Sequence, residues 1–78
     1  MKPKTWTTKH GTLTVTATHV IDNNGGASAW THGEFLAKEG GVLHDLLRKT
    51  YGDTIYQEAM TFVRSFKNFD SLENSGAL

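Results

Sequence analysis

The stretch Thr12–His19, which reads TLTVTATH, places a threonine at every second position. Successive side chains of a β-strand point to opposite faces of its sheet, so this alternation predicts a strand with one threonine face and one apolar face. We expect the strand to continue to Ile21, where a turn sequence follows. The threonine face is either a binding surface or simply the solvent-exposed side of a sheet.

A second predicted strand, Lys4–Lys9, precedes this stretch and is also rich in threonine. The residues between them, His10-Gly11, can form a two-residue turn because glycine adopts positive φ without strain. This turn predicts that Trp6 lies opposite Val15. One face of the hairpin then collects the apolar residues Trp6, Leu13, Val15, Ala17 and Ile21. The other face collects Thr5, Thr7, Lys9, Thr12, Thr14, Thr16 and Thr18.

Beyond the turn sequence DNNGG, residues Ala27–Thr31 are predicted to form a short third strand, since a lone hairpin is marginally stable. Thr31 and Glu34 have the spacing of a helix capping box. Two alternatives remain for the residues that follow. One kinked helix could run from about 33 to 50, or an extended segment over 30–36 could lead to a helix from about 41 to 50. The adjacent glycines at 40 and 41 favour the second alternative.

Gly52 is predicted to end this helix, and Asp53 or Thr54 to begin the next one. The short connection predicts an antiparallel pair of helices. A polar, flexible tail is expected over 70–78. The predicted fold class is therefore α+β, with a small antiparallel sheet (a β-hairpin plus a possible short third strand) packed on the two helices, in the order ββ(β)αα and as a single domain over 1–69. The apolar stripe of the last helix comprises Ile55, Ala59, Phe62, Val63, Phe66 and Phe69.

The composition excludes several classes of function. Lysine and arginine together number 8, as do aspartate and glutamate, so the formal net charge is zero. A dedicated nucleic-acid binder usually carries a basic excess. The absence of cysteine excludes disulfides and cysteine-ligated zinc. The longest apolar run, Phe35–Ala37, is far shorter than the roughly 20 residues of a membrane span. We therefore expect a soluble, cytoplasmic protein.

No motif for catalysis or metal binding is visible. The DNNGG loop lacks the bidentate glutamate of a calcium loop. No serine lies in a nucleophile-elbow pattern. We therefore expect no cofactor, no metal and no enzymatic activity. The four histidines lack the close spacing of zinc ligands and are interpreted as unrelated surface or boundary residues: His10, His19, His32 and His44.

A small nucleic-acid-associated regulator remains the alternative function. Its binding surface would combine basic residues near the N-terminus with basic residues near the helix ends, where cations also favour the helix dipole. The predicted inward position of Trp6 makes base stacking on that side chain less favourable. The residues concerned are Lys2, Lys4, Lys9, Arg48, Lys49, Arg64 and Lys67.

The sequence best fits a non-enzymatic protein-interaction module that binds and blocks a partner protein, such as a host bacterial protein or complex. A flat, uncharged sheet face can dock on a partner, and a free sheet edge can accept a partner strand or an identical subunit, which makes a homodimer plausible. In size and format the chain is similar to small accessory proteins of phages, including anti-CRISPR and other anti-defence inhibitors, a likeness that transfers no residue. The predicted partner-binding residues are Thr5, Thr7, Lys9, Thr12, Thr14, Thr16, Thr18, Asn23 and Asn24.

Overall fold

The computed structural model describes the backbone of residues 2–77 and the side chains of residues 2–66. Four strands form an antiparallel sheet in the spatial order β1-β2-β3-β4. Three helices follow, so the chain is a small α+β domain, as predicted, with one more strand and one more helix than expected. The strands are β1 (Lys4–Thr8), β2 (Gly11–Val15), β3 (His19–Asn23) and β4 (Ala27–Thr31). The helices are α1 (His32–Ala37), α2 (Val42–Tyr51) and α3 (Asp53–Ala77).

The first hairpin forms with a different turn from the predicted one. Thr8 pairs with Gly11, so the turn residues are Lys9 and His10. The Thr8 hydroxyl accepts the His10 N–H at 3.0 Å and donates to the Gly11 carbonyl at 3.3 Å. Trp6 consequently lies opposite Leu13 instead of Val15. This shift of the partner by two residues keeps the side chains of β1 and β2 on their predicted faces, because the strand repeat is two.

Gly11 is required for a different reason than the turn. Its φ is +143°, and a Cβ placed there would lie 2.2 Å from the carbonyl oxygen of Asn23. The backbones of β2 and β3 therefore approach each other more closely than any side chain at this position would allow.

The predicted long strand over 12–21 is wrong, because the chain folds back at Ala17 and Thr18. The Thr16 hydroxyl accepts the backbone N–H groups of Thr18 at 3.2 Å and His19 at 2.9 Å, and the His19 carbonyl accepts the Thr16 N–H at 2.8 Å. This turn reverses the alternation downstream of it. Val20 is buried in the core. Two residues that were expected there are not: Ala17 is exposed and Ile21 lies on the opposite face.

The predicted capping box is present, and it lies at the start of helix α1 and not within an extended segment. The Thr31 hydroxyl accepts the Glu34 N–H at 3.2 Å, and the Glu34 carboxylate accepts the Thr31 N–H at 3.0 Å. The extended conformation favoured for 33–36 is therefore wrong. The helix forms because it buries His32 and Phe35, three residues apart, against the core. Gly40, at φ +86°, then separates α1 from α2.

Only Gly52 separates α2 from α3, as the sequence predicted. The core lies between the sheet and the helices, and its buried apolar residues include Leu13, Val15, Val20 and Val63. All lie on the helix side of the sheet, whereas the described side chains on the opposite side are exposed or half-buried. The predicted tail boundary at 70 falls within α3, where side chains lie outside the described residues, so a flexible tail stays a prediction.

Candidate protein-binding surface

The side of the sheet that faces away from the helices carries mostly small, uncharged side chains. Leu13 and Val15 point into the core, so their neighbours Thr12 and Thr14 point outward. Residues directly opposite in an antiparallel sheet share a face, and the observed pairing therefore extends this surface over all four strands. We call it the outer face. Its two central rows comprise Thr5, Thr7, Thr12, Thr14, Ile21, Asn23, Ala27 and Ala29, and the pair His19 and Thr31 lies on the same side where β4 enters α1.

The outer face is arranged in two rows across the strands. One row runs Thr5, Thr14, Ile21, Ala29 and the other runs Thr7, Thr12, Asn23, Ala27. The Thr5 and Thr14 hydroxyls lie 2.9 Å apart and form a cross-strand hydrogen bond. Each row thus passes from threonine on β1 and β2 to a small alanine on β4.

The predicted binding residues divide into two groups. Thr5, Thr7, Thr12, Thr14 and Asn23 share the outer face. The other four lie in turns. Thr16 holds the second turn through its hydroxyl, and the Thr18 hydroxyl lies 2.8 Å from Nδ1 of His19. That any of the nine residues binds a partner stays a prediction. The four in turns are Lys9, Thr16, Thr18 and Asn24.

Ile21, Ala27 and Ala29 belong to the outer face but were missed by the sequence argument. Strand alternation places Ile21 in the core only if the strand continues through Ala17 and Thr18, where the chain turns. The signal that could have shown this turn is Thr16 itself, since a threonine hydroxyl readily accepts the N–H groups of the next residues.

The nearest carboxylate in the sheet points away from the outer face. Asp22 lies opposite Leu13 and accepts a hydrogen bond from the Tyr51 hydroxyl, which also lies 3.0 Å from the Thr12 carbonyl. Burial raises the pKa of Tyr51 above its ordinary value, and the Asp22 carboxylate raises it further. The contact fastens α2 to the sheet and leaves the outer face without charge.

Two of the histidines are core residues, so their interpretation as surface or boundary residues is wrong. His32 is 5% exposed, and its Nε2 donates to the Thr16 carbonyl at 2.8 Å. His44 is 2% exposed, and its Nε2 donates to the Phe35 carbonyl at 2.7 Å. The Nδ1 of His44 then accepts from the Tyr56 hydroxyl at 2.7 Å, the tautomer that satisfies both nitrogens.

No cluster of three metal-ligating side chains occurs among residues 2–66. A groove of about 560 Å³ lies beside β1 against α3. There Nε1 of Trp6 donates to Glu58 at 2.9 Å, and the Ser65 hydroxyl donates to the Phe62 carbonyl at 2.7 Å. Both polar groups therefore stabilise the fold locally, and neither forms a nucleophile–base pair.

The cations near the helix ends are largely engaged in exposed ion pairs. Arg48 pairs with Asp53 at 3.2 Å, Lys49 pairs with Asp45 at 3.3 Å, and Arg64 pairs with Glu39. The Lys67 side chain lies outside the described residues. These pairs reduce the positive potential that a phosphate backbone would meet, which weighs against the nucleic-acid alternative without testing it.

Two apolar side chains of α2 are exposed to solvent. Val42 is 85% exposed and Leu46 is 56% exposed, one turn apart on the helix. The helix instead turns His44, Leu47 and Tyr51 toward the core. Val42 and Leu46 form a second, smaller candidate contact surface.

Comparison of the chain with protein-family models, curated proteins and solved structures gave no match. Among the residues that the structure describes, no helix combines the length and apolar character needed to traverse a bilayer.

Proposed function

We propose that the chain is a non-enzymatic protein-interaction module that binds and blocks a partner protein through the outer face. The observation that carries this proposal is that eight neighbouring positions on four strands present no charged side chain on the side opposite the helices. An uncharged surface is dehydrated on binding at lower cost than a charged one.

The side chains of this surface also lose little freedom on binding. Threonine is β-branched and stiff at χ1, and alanine has no rotamers to lose. The rigid sheet holds both in fixed rows, so the surface is preorganised for a flat partner. Asn23 adds an amide that both donates and accepts at the end of β3.

The wider setting belongs to the same proposal. We place the protein in the cytoplasm of a bacterium, as an inhibitor of a host protein or complex similar in format to phage anti-defence proteins. The support for this setting is the small size, the zero net charge and the absence of cysteine.

The test is affinity capture from a bacterial lysate with charge-bearing variants. Thr7→Lys/Thr14→Lys places two cations on the outer face, and we expect it to lose a partner that the wild type captures. The matched control, Gln57→Lys/Thr61→Lys, adds the same charge to exposed positions of α3 and should retain that partner.

A third variant, Val42→Lys/Leu46→Lys, separates the outer face from the exposed apolar pair on α2. Loss of the partner in this variant alone would show that the binding surface lies on α2. Equal capture by the wild type and Thr7→Lys/Thr14→Lys would contradict the proposal. Circular dichroism of each variant establishes that the fold is retained.

A further inference from the structure

The sheet has two edges, β1 and β4, and their backbone groups differ in how they are protected. An edge strand points every second residue's N–H and C=O groups away from the sheet, where they can pair with another strand. The direction of these groups follows from the hydrogen bonds of the second turn.

The backbone N–H and C=O groups of His19 point toward β2, because the His19 carbonyl accepts the Thr16 N–H. Alternation along β3 then directs the backbone groups of Val20 toward β4, where Val20 pairs with Trp30. The same alternation along β4 points the backbones of Ala27, Ala29 and Thr31 to the open edge. The Thr31 N–H confirms this direction, since it donates to the Glu34 carboxylate and not to β3.

The capping box therefore limits the open edge of β4. The Thr31 N–H is already satisfied, which leaves the N–H and C=O groups of Ala27 and Ala29 facing solvent. Both residues are exposed, and no charged residue occurs between Asn23 and Gly33. This edge thus lacks the charged side chains that usually protect edge strands.

The β1 edge is protected in the usual way. The same alternation exposes the backbone groups of Thr5 and Thr7, but three lysines lie within or beside the strand. Two copies paired through β1 would gather the three lysines of each chain along one seam, a concentration of positive charge that opposes pairing. The contrast between the edges singles out β4.

We propose that two copies of this chain pair antiparallel through β4, with Ser28 of one copy opposite Ser28 of the other. In this register Ala27 lies opposite Ala29 of the second copy on both sides of the two-fold axis. All four exposed N–H and C=O groups of each copy then pair, which gives four hydrogen bonds between the subunits.

The same register is sterically complementary. Trp30 and Thr31, the larger residues at one end of β4, lie opposite Gly26 and Gly25 of the second copy. A Cβ at either glycine would meet nothing within 4 Å in one copy, so this end of the strand is open. Small residues face each other in the middle, and the bulky end meets the glycine end.

The dimer goes beyond the proposed function, because it uses backbone groups at the edge and needs no partner protein. It would also join two outer faces into one continuous surface. The two proposals are tested independently. The capture variants test partner binding by the outer face, while the following measurements test dimerisation of the purified chain alone.

The first experiment is light scattering across a concentration series. We expect the wild type to approach twice the 8.6 kDa mass of one chain. Ala29→Pro removes an edge N–H that makes no bond within the sheet, a position where proline is tolerated. It deletes two of the four inter-subunit bonds and should weaken dimerisation roughly 30-fold. Thr7→Pro removes the equivalent N–H on β1 and should leave dimerisation unchanged.

The second experiment tests the register and does not depend on proline being tolerated. The chain has no cysteine, so Ser28→Cys introduces a single thiol. Opposite residues of a non-hydrogen-bonded pair have Cα atoms about 4.5 Å apart, within disulfide range. We expect rapid cross-linking of Ser28→Cys under mild oxidation. Ala29→Cys, whose nearest equivalent lies diagonally at about 7–8 Å, should cross-link slowly.

A wild type that stays monomeric at every concentration would overturn the proposal. So would a dimer that cross-links no faster through Ser28→Cys than through Ala29→Cys, since its interface would then lie elsewhere. Selective cross-linking at Ser28, together with a dimer weakened by Ala29→Pro and not by Thr7→Pro, would establish it.

Discussion

At the scale of single residues, Tyr51 shows how a polar group is used to hold the fold. Its side chain is 5% exposed, yet its hydroxyl reaches the Thr12 carbonyl and the Asp22 carboxylate. Burial and the neighbouring carboxylate both oppose a second negative charge here and raise the pKa of Tyr51. The folded protein therefore keeps this hydroxyl protonated at a pH where the unfolded chain ionises.

This difference predicts a loss of stability in alkali. The stabilisation is fully present below the unfolded tyrosine pKa of about 10 and is lost progressively as the pH rises above it. Urea unfolding of the wild type between about pH 8 and 11 should show a falling free energy of unfolding. Tyr51→Phe should be less stable at about pH 8, by about 1 kcal/mol, and should show a shallower fall. Parallel pH profiles for the two proteins would contradict this account.

At the scale of elements, two glycines with opposite roles show how strands and helices are set. Gly11 lies in β2 at positive φ, against the Asn23 carbonyl. Gly33 lies within α1, has open space around it and requires no positive φ. The first glycine permits the close approach of two strands, whereas the second only weakens a helix.

Substitution by alanine should therefore have opposite effects at these two positions. Gly11→Ala should destabilise the protein by about 2 kcal/mol or more, because the new methyl group clashes with backbone. Gly33→Ala should stabilise it by about 0.5–1 kcal/mol, because it reduces the freedom of the unfolded chain. Thermal and urea unfolding of the pair measure both changes. Effects of the same sign would show that the β2–β3 approach is looser than described.

At the scale of the whole molecule, His44 joins all three helices. Its ring lies on α2, donates to the carbonyl of Phe35 in α1 and accepts from the hydroxyl of Tyr56 in α3. The ring also packs against the ring of Phe35, with centroids 4.2 Å apart and the two planes tilted by 34°. Since the site is buried, each hydrogen bond left unmade carries a desolvation penalty.

Removing one partner of this junction leaves the other partner buried without its hydrogen bond. The losses of stability in the single variants should therefore not add in the double variant. Tyr56→Phe leaves Nδ1 of His44 buried without a donor and should destabilise the protein by about 1–3 kcal/mol. In His44→Leu/Tyr56→Phe no unpaired nitrogen remains, so the double variant should cost less than the sum of the single variants. Urea unfolding of the four proteins gives this coupling. Additive losses would mean that the two side chains act independently.

Much of the fold could be predicted because its patterns are local. Alternation in TLTVTATH assigned Leu13 and Val15 to the core, and this assignment survived an incorrect turn because the register moved by two residues. The spacing of Thr31 and Glu34 predicted the capping box, and Gly52 predicted the break between the last two helices. Five of the nine proposed binding residues share the outer face for the same reason.

The sequence by itself therefore determined the α+β class, the direction of the strand faces and the helix boundary signals, since each depends on residues close together in the chain. The turn at Ala17 and Thr18 is local and is held by the Thr16 hydroxyl, but strand alternation does not reveal it. Only the tertiary structure decided why 33–36 are helical and which face of α2 is buried. Those outcomes depend on packing between distant residues. A helix settles in the orientation that buries His44 and Leu47 beside α3, even though this leaves Val42 and Leu46 exposed.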